Sequence, residues 1–406
     1  MPARLDDVPQ SKQLRPLFYG LGLLGTVVTW GRTVADGSLA LVQEALHAPG
    51  GRHLLPGSDS TLRSSFTGIW PLDYLFRTLV VFFWEAVDGS HPATTTAGIY
   101  FVGQLFPIIA AIYLDGLRAG NGPSLIRPSI WFMIFGAAAI GCSGAGWALV
   151  YTATSPTTSP VLPLDGLKRT SLVSSTRAAT LLVPAIVLGF VAPVVFMGLL
   201  SPDVVTHEFK QWAIVIWNTF PLIMLALLKL GEAILDALLP ASKSLSSGNP
   251  RHSEEQHLSV VRYISVVSIL VGFTLHVSVA AVSVSTVLFP RLFNANYVKD
   301  LHPLNLVLPP IAISKATTVG DGILGFMLWD QVIGYSLVLI VFLVQLHNVH
   351  LVSNFTRSYG LIYSGILSGI LSIFVGPGTV IIAISWLRDE LLYGVGQKET
   401  RARQKA

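Results

Sequence analysis

Six acidic residues of this 406-residue chain lie inside or beside long apolar stretches, where a carboxyl group is costly to bury and therefore suggests chemistry. They are Asp73, Glu85, Asp88, Asp115, Asp321 and Asp330. A carboxylic acid that stays neutral in an apolar surrounding can donate a proton to a bound molecule. These six residues are therefore the candidate catalytic residues, and general acid catalysis is the chemistry that they predict.

Asp330 lies deepest in its apolar stretch. It follows Asp321 by nine residues, which is about 13 Å along a helix that rises about 1.5 Å per residue. No Lys or Arg lies within one helical turn of it, and burial disfavours the charged form of an unpaired acid. We therefore predict that Asp330 is the general acid, and that its neighbours Trp329 and Gln331 belong to the substrate pocket.

Glu85 and Asp88 form a second candidate pair, because they follow the aromatic run Phe82-Phe83-Trp84. Aromatic faces attract positive charge, so an acid beside them suits a reaction that passes through a cation. This interpretation assigns Trp84 to the substrate pocket. The alternative is an aromatic belt at the membrane surface, followed by solvated acids.

Three of the other acids also have local structural explanations. Asp73 can pair with Arg77 at a spacing of four residues, and Asp115 with Arg118 at a spacing of three. Asp321 stands where the next helix would start, so it can serve as the N-cap of that helix. For these positions a structural role and a catalytic role both remain open.

Two amide side chains are placed similarly in apolar stretches. Gln104 and Asn218 each precede a proline by three residues, Pro107 and Pro221 respectively. A proline inside a helix removes a backbone hydrogen bond and leaves a carbonyl group free. The nearby amide can satisfy that carbonyl or face a cavity. We predict both amides as pocket residues.

The elements that must position these side chains are membrane helices. A helix needs roughly 20 apolar residues to cross a hydrocarbon core about 30 Å thick. We predict nine spans, with eight as the alternative because 70–87 carries Asp73, Arg77 and Glu85. The predicted spans are 17–31, 70–87, 96–114, 129–150, 179–200, 211–231, 261–288, 322–347 and 359–386. The predicted fold is an all-α, polytopic integral membrane helix bundle. It forms one domain over 1–406, with polar tails at 1–16 and 388–406.

The composition excludes several classes of protein. Charged residues make up 12% of the chain and apolar residues 52%, whereas a soluble domain carries about 25% charged residues. A soluble enzyme and a disordered chain are thereby excluded. Basic residues do not cluster with aromatic ones, so no nucleic acid partner is expected. No P-loop, HExxH, Cys/His cluster or aspartate-rich diphosphate motif occurs, so we expect neither a metal ion nor another cofactor.

The carboxyl-terminal tail indicates the orientation in the membrane. It carries five basic residues against three acidic ones, and the positive-inside rule therefore places it in the cytosol. Asn354 begins an Asn-Phe-Thr sequon that would then lie in a lumenal loop, as a glycosylation site requires. The predicted location is the endoplasmic reticulum, as a multi-pass membrane protein.

Two segments, 71–121 and 320–334, resemble a fungal family of membrane-bound terpene cyclases; the second reads GDGILGFMLWDQVIG. The resemblance implies an enzyme of secondary metabolism in meroterpenoid or terpenoid biosynthesis, of isomerase or lyase type. It implies an acid-initiated cyclisation of an epoxidised or hydroxylated prenyl chain, without a metal ion or redox cofactor. The partners implied are a lipophilic prenylated substrate, the lipid bilayer and other enzymes of the pathway.

Two other function classes fit the same residues. A transporter or permease for a small lipophilic metabolite would use intramembrane acids as proton relays and prolines as kinks. An inverted repeat between the halves would favour it, and none is found beyond the two amide–proline matches. A non-catalytic scaffold for pathway enzymes would explain the loops but not Asp330.

Overall fold

The computed structural model describes residues 9–47, 53–159, 162–238, 250–352 and 360–394. Within these ranges all regular elements are helices. The β-type pairing is limited to two isolated β-bridges, Leu54 with Thr61 and Arg118 with Val173. The all-helical prediction is confirmed for this part of the chain.

The principal helices alternate with connections, of which the longest is 289–318, and some connections contain one or two helical turns. In chain order they are α1 (Pro9–Thr26), α2 (Ser38–Leu46), α3 (Trp70–Val87), α4 (Pro92–Gly116), α5 (Ile126–Ala138), α6 (Ile140–Thr154), α7 (Thr176–Gly198), α8 (His207–Asn218), α9 (Phe220–Leu238), α10 (Pro250–Leu288), α11 (Val319–Val352), α12 (Leu361–Val375) and α13 (Pro377–Asp389).

Helices α4 and α11 form the centre of the bundle. In each of them 72% of the most apolar 18-residue window is buried, because apolar residues surround the helix on all sides. Helix α4 packs against α10 and α13, and α11 packs against α6 and α13. The two helices are therefore held on several faces, and side chains on them occupy well-defined positions.

Four helices are long and apolar enough to cross a membrane by length and composition: α4, α7, α10 from Ser253 onward, and α11. Helices α8 and α9 meet at 69° and supply a fifth span if the pair is one broken span. The prediction of eight or nine spans is not confirmed. Long apolar helices of this kind are compatible with a membrane protein.

Two predicted spans are interrupted by backbone turns. The stretch 129–150 breaks at Ala139, which has φ 70°, and becomes the short helices α5 and α6. The stretch 359–386 breaks at Gly376, which has φ 89°, and Pro377 begins the next helix. A left-handed residue ends an α-helix, so each stretch forms two helices that meet at an angle.

The outer surface of the bundle is apolar. On α12, Ile362, Ile373 and Phe374 are each at least 67% exposed, and Ser368 is the buried position of that helix. Contiguous exposed apolar surface of this extent is unusual for a soluble monomer. The surface of α12 therefore suits contact with lipid.

Part of the carboxyl-terminal segment that the sequence predicts as a polar tail packs into the bundle. The segment 388–394 is helical, and Arg388 and Asp389 are buried within the bundle. Residues 1–8 and 395–406 lie outside the described ranges.

Candidate active site

A cavity lined mainly by aromatic rings lies between α3, α5, α8 and α11. We call it the aromatic cavity, and about 1100 Å³ of empty space, counting its opening, lies between its walls. Nine aromatic side chains line it: Trp30, Phe82, Phe83, Phe101, Phe132, Phe135, Trp217, Phe220 and Phe326. Such a wall presents ring faces and edges to a ligand and contains little that could react with it.

The rings hold each other in place through edge-to-face contacts. The ring of Phe326 lies 5.0 Å from that of Trp30 and 5.2 Å from that of Phe82, measured between centroids. Phe83 makes a similar contact with Trp217 at 5.2 Å. Because six separate parts of the chain supply the nine rings, the shape of the wall depends on the packing of the whole bundle.

Asp330 is the carboxylate that lines this cavity, in the part of the chain that the structure describes. Its side chain is 5% exposed. Its Oδ1 atom accepts a hydrogen bond of 2.6 Å from the backbone N–H of Gly141, and Oδ2 makes no hydrogen bond to a described residue. A protonated Asp330 can therefore keep Oδ1 as the acceptor and direct its O–H toward the cavity.

The helix break at Ala139 supplies the partner of Asp330. Ala139 has φ 70° and ψ 143°, which is a conformation that a residue with a Cβ rarely adopts. The break starts a new helix, and the first N–H groups of a helix have no partner within it. One of these groups, on Gly141, is the donor to Asp330, and a Cβ on Gly141 would lie 3.1 Å from Oδ1. The left-handed turn and the glycine together allow this close approach.

Two further polar side chains line the aromatic cavity. Asn218 lies at the bend between α8 and α9 and donates from Nδ2 to the Ile214 carbonyl at 2.9 Å. Thr78 donates to the Tyr74 carbonyl at 2.8 Å. Each side chain thus donates one hydrogen bond within its own helix, and Asn218 retains a second N–H and its carbonyl oxygen for contact with a ligand. Asn218, which the sequence predicts as a pocket residue, lines the aromatic cavity.

Glu85 and Asp88 lie outside the residues that line the aromatic cavity. Glu85 is 3% exposed, and its Oε2 atom accepts from the backbone N–H of Gly320 at the start of α11. Asp88 accepts from the backbone N–H and the hydroxyl of Ser90, in the turn that follows α3. Both acids therefore make hydrogen bonds that connect or shape the backbone.

The two tryptophans predicted for the pocket also lie elsewhere. Trp84 is buried with its ring 5.5 Å from that of His207. Trp329 donates from Nε1 to the Pro310 carbonyl at 3.1 Å. The aromatic run on α3 contributes Phe82 and Phe83 to the cavity instead.

Asp321 forms a capping box with Thr318. The Thr318 hydroxyl accepts from the backbone N–H of Asp321, and the Asp321 carboxylate accepts from the backbone N–H groups of Thr317 and Thr318. Helix α11 begins at Val319, so Asp321 caps it from within its first turn rather than as the N-cap residue.

Asp73 fixes the loop that precedes α3. Its carboxylate accepts from the backbone N–H groups of Phe66, Thr67 and Gly68 and from the hydroxyls of Ser65 and Thr67. The predicted ion pair between Asp73 and Arg77 is wrong, since Arg77 donates to the Leu46 carbonyl. The loop competes for the carboxylate because it offers three N–H groups that would otherwise lack partners.

Asp115 belongs to a buried group of charges that we call the ion network. Its members are Asp115, Arg118, Gln345, Arg388 and Asp389. Arg118 contacts Asp115 and Asp389 at 2.7 Å each, and Arg388 reaches the same two carboxylates at 3.3 and 3.1 Å. The predicted Asp115–Arg118 pair is confirmed, and the network joins the ends of α4, α11 and α13.

The charge state of Asp389 follows from these contacts. Burial by itself would raise the pKa of Asp389, but Arg118 and Arg388 lower it to about 2. The carboxylate is therefore ionised and compensated at neutral pH. It is suited to holding helices together and unsuited to giving up a proton.

The remaining predicted pocket residues occupy two other places. Gln104 is fully buried, donates to the Gly272 carbonyl at 2.9 Å and accepts from the Gly378 N–H at 3.1 Å, so it connects α4 with α10 and α13. Gln331 lines a second cavity on another face of α11. Asn354, the predicted glycosylation site, lies outside the described residues.

Sequence reasoning missed Ala139, Gly141 and most of the aromatic wall. The break at Ala139 falls in the apolar run GAAAIG, which contains no proline and gives no local signal for a turn. Within the described ranges, no group of three or more His, Cys, Asp or Glu residues could hold a metal ion.

Comparison with known proteins identifies the family. The CtvD domain matches residues 14–393. The chain is 29% identical to terpene cyclase ctvD of Aspergillus terreus over 50% of this chain and 55% of that protein. It is 22% identical to terpene cyclase ascI of Acremonium egyptiacum, over 93% and 91% of the two chains. It is 23% identical to terpene cyclase penA of Penicillium crustosum, over 93% and 95%.

No solved structure matches the chain. The domain match covers most of its length, and the relatives named above are fungal terpene cyclases. The resemblance noted in the segments 71–121 and 320–334 is therefore confirmed, and the chain belongs to the CtvD-domain family of fungal terpene cyclases.

Proposed function

We propose that this protein cyclises an epoxidised or hydroxylated prenyl chain in an acid-initiated reaction, with Asp330 as the general acid. The observation that carries the proposal is the aromatic cavity in which Asp330 is the carboxyl group. The other five candidate acids have structural partners, and none of them lines this cavity. The family of the chain supports cyclisation over the transporter alternative.

The proposed reaction begins with the proton on Oδ2 of Asp330. This proton passes to the epoxide oxygen, the adjacent C–O bond breaks, and positive charge develops on a tertiary carbon. An internal alkene or hydroxyl group attacks that carbon and forms the ring. A proton then leaves to the Asp330 carboxylate or to water. Atoms balance without a co-reactant, so an epoxide substrate and its product have the same mass.

The Gly141 N–H assists this reaction because it stabilises the carboxylate that forms when Asp330 loses its proton. A hydrogen bond to an ionised acceptor is roughly twice as strong as one between neutral groups. The contact of 2.6 Å is already formed before the proton leaves, so no reorganisation is needed. The strained turn at Ala139 thus places a donor where negative charge appears.

The aromatic wall has two roles in the proposal. Ring faces stabilise a nearby cation by roughly 0.5–2 kcal/mol each, depending on how dry the site is. The same rings exclude water, which would otherwise trap the cation before the ring closes. A lipophilic substrate could reach this site from the bilayer, and residence in the endoplasmic reticulum is part of the proposal.

The test is expression of the full chain in a heterologous fungus that lacks the pathway. Epoxidised prenyl-aromatic compounds are supplied, and extracts are searched by mass spectrometry for isomers of unchanged mass. The proposal predicts cyclic isomers that are absent from an empty-vector strain. Efflux or uptake of the unchanged compounds, without any isomer, would support the transporter alternative.

A further inference from the structure

A second cavity lies beside α11, between α4, α10, α11 and α12. We call it the lateral cavity, and about 1240 Å³ of empty space, counting its opening, lies between its walls. Asp330 and Gln331 are neighbours in the chain but line different cavities, because successive residues of a helix point about 100° apart. Nothing in the proposed cyclisation uses this second space.

Gln331 lines the lateral cavity and carries an unsatisfied hydrogen-bond donor. Its side chain is 5% exposed, and its Nε2 atom is buried without a hydrogen-bond partner in the described part of the chain. Leaving a buried polar group unpaired costs roughly 1–3 kcal/mol. A ligand that carries an acceptor atom would remove this penalty.

Tyr100 offers an acceptor in the same cavity. His276 Nε2 contacts the Ile373 carbonyl at 3.2 Å, and a carbonyl can only accept, so Nε2 carries the hydrogen. In the neutral ring Nδ1 is then an acceptor, and the Tyr100 hydroxyl donates to it at 3.1 Å. The lone pairs of the Tyr100 oxygen remain available to accept a hydrogen bond from a ligand.

The other polar side chains of the lateral cavity have partners. Ser336 and Ser372 donate to carbonyls of their own helices, and Tyr335 donates to the Phe101 carbonyl. The residues that line the cavity include no Asp, Glu, Lys or Arg. The ligand should therefore be uncharged, with one polar group that both donates and accepts.

The lateral cavity is open on the apolar outer surface. Three of its lining residues, Val307, Val332 and Ile373, are between 44% and 70% exposed. An elongated hydrocarbon could therefore extend from the polar groups toward the surrounding lipid. Aliphatic side chains on three sides of the cavity, among them Val279, Leu328 and Ile373, would contact the hydrocarbon part of such a ligand.

We propose that the lateral cavity binds a neutral hydrophobic alcohol, whose hydroxyl group accepts from Gln331 Nε2 and donates to the Tyr100 oxygen. Two sources share this chemistry: an alcohol of the membrane, such as a sterol, and a prenyl alcohol related to the reaction. The proposal is independent of the assignment of Asp330.

The test uses the full-length protein in lipid nanodiscs with a photoreactive farnesol analogue and the methyl ether of that analogue. The ether keeps the hydrocarbon and an acceptor but cannot donate to Tyr100. We expect the alcohol to label peptides of α10 and α12 with higher affinity than the ether. If both probes label these helices of the wild-type protein equally, the proposal is wrong. Labelling confined to the aromatic cavity would also overturn it.

Two variants locate the hydrogen bond. Gln331→Leu removes the donor at similar volume and should weaken labelling by roughly 2- to 10-fold, as expected for one net hydrogen bond. Ser336→Ala is the matched control, because its hydroxyl lies on the same helix and cavity but donates to its own backbone. Unchanged affinity in Gln331→Leu would contradict the proposed role of the amide.

Competition identifies the source of the alcohol. Displacement of the probe by ergosterol assigns the site to a membrane sterol, and displacement by unlabelled farnesol assigns it to a prenyl alcohol. Asp330→Asn should leave this labelling intact, so failure of the cyclase assignment and failure of the lateral site can be told apart.

Discussion

The aromatic cavity and the ion network both bury carboxylates among the helices, but they surround them differently. Asp330 has one backbone N–H as its partner, whereas Asp115 and Asp389 are held by Arg118 and Arg388, both of which are at most 1% exposed. In the network the arginines neutralise the two carboxylates, so neither carboxylate needs to bind a proton. Among the described residues that line the aromatic cavity beside Asp330, none is Lys or Arg. Burial alone therefore does not distinguish the candidate acids from one another, whereas the number of charged partners sets Asp330 apart.

Because the two regions differ in charged partners, substitutions in them should have different effects. Replacing a network residue leaves a buried charge without its counter-ion, which destabilises the fold. Replacing Asp330 by a neutral group of the same shape leaves no charge unpaired and removes the transferable proton. The two regions should thus respond in different assays.

The largest effect is expected for Asp330→Asn. Turnover should fall by roughly 10²–10⁴-fold, because that is the usual contribution of general acid catalysis. The melting temperature of the purified protein in detergent should stay close to that of the wild type. Product formation by mass spectrometry and thermal unfolding measure the two quantities.

Two substitutions serve as controls for this prediction. Asp321→Asn should retain turnover within about twofold, because Asp321 lies outside the aromatic cavity and an asparagine carbonyl can still accept from the N–H groups of Thr317 and Thr318. Glu85→Gln should likewise retain product, although the contact with Gly320 weakens. Loss of product in Glu85→Gln together with normal turnover in Asp330→Asn would move the acid to the other end of the bundle.

The next effect is on stability and concerns the ion network. Arg118→Met should lower the free energy of unfolding by about 3–5 kcal/mol, because Asp115 and Asp389 keep Arg388 alone and one buried negative charge is left without a counter-ion. Denaturation in detergent and the yield of monodisperse protein measure this loss. The double variant with Asp389→Leu should be less destabilised than Arg118→Met, since it leaves fewer buried charges unpaired. Equal destabilisation would show that the pair contributes by shape alone.

A smaller effect on the free energy of unfolding is expected at acidic pH. Burial raises the pKa of Asp389, but the two arginines lower it to about 2, below an unfolded value of about 3.9. A lowered pKa stabilises the fold fully above the unfolded value, and the contribution is lost as the pH falls through the folded value. Roughly 2–3 kcal/mol should disappear between about pH 5 and pH 1. The difference in stability between the wild type and Asp389→Asn should shrink over this range, and a constant difference would contradict the assignment.

A still smaller effect concerns the aromatic wall. Phe326→Leu keeps an apolar side chain but removes a ring that contacts Trp30 and Phe82. Loss of one ring near a cation, at roughly 0.5–2 kcal/mol, should lower turnover by about 2- to 30-fold. Products that have gained water should increase relative to cyclic isomers. Leu79→Ala, on the same wall but without a ring, tests whether lost volume alone has this effect.

No change is expected when metal ions are removed. Activity in isolated membranes should survive EDTA, because the proposed acid is a side chain and the motifs that hold magnesium against a diphosphate are missing from the sequence. Turnover before and after chelation is the measurement. Loss of activity that magnesium restores would contradict the acid-only mechanism.

The sequence by itself determined the features that depend on neighbouring residues. The helical class follows from long apolar stretches, and the Asp115–Arg118 pair follows from their spacing of three residues. The isolation of Asp330 from basic residues in its own helix is equally local. For this reason the sequence alone could make Asp330 a candidate acid.

Tertiary structure alone decided which residues share a site. Gly141 is 189 positions from Asp330, and Asp389 is 271 positions from Arg118, so no local pattern connects them. The stretch 129–150, predicted as one helix, forms two helices because a left-handed turn at Ala139 divides it, and such a turn is stabilised by distant packing rather than by its own residues. Gln331 likewise lines its own cavity, since the side of α11 that faces each cavity is set by the helices packed around it.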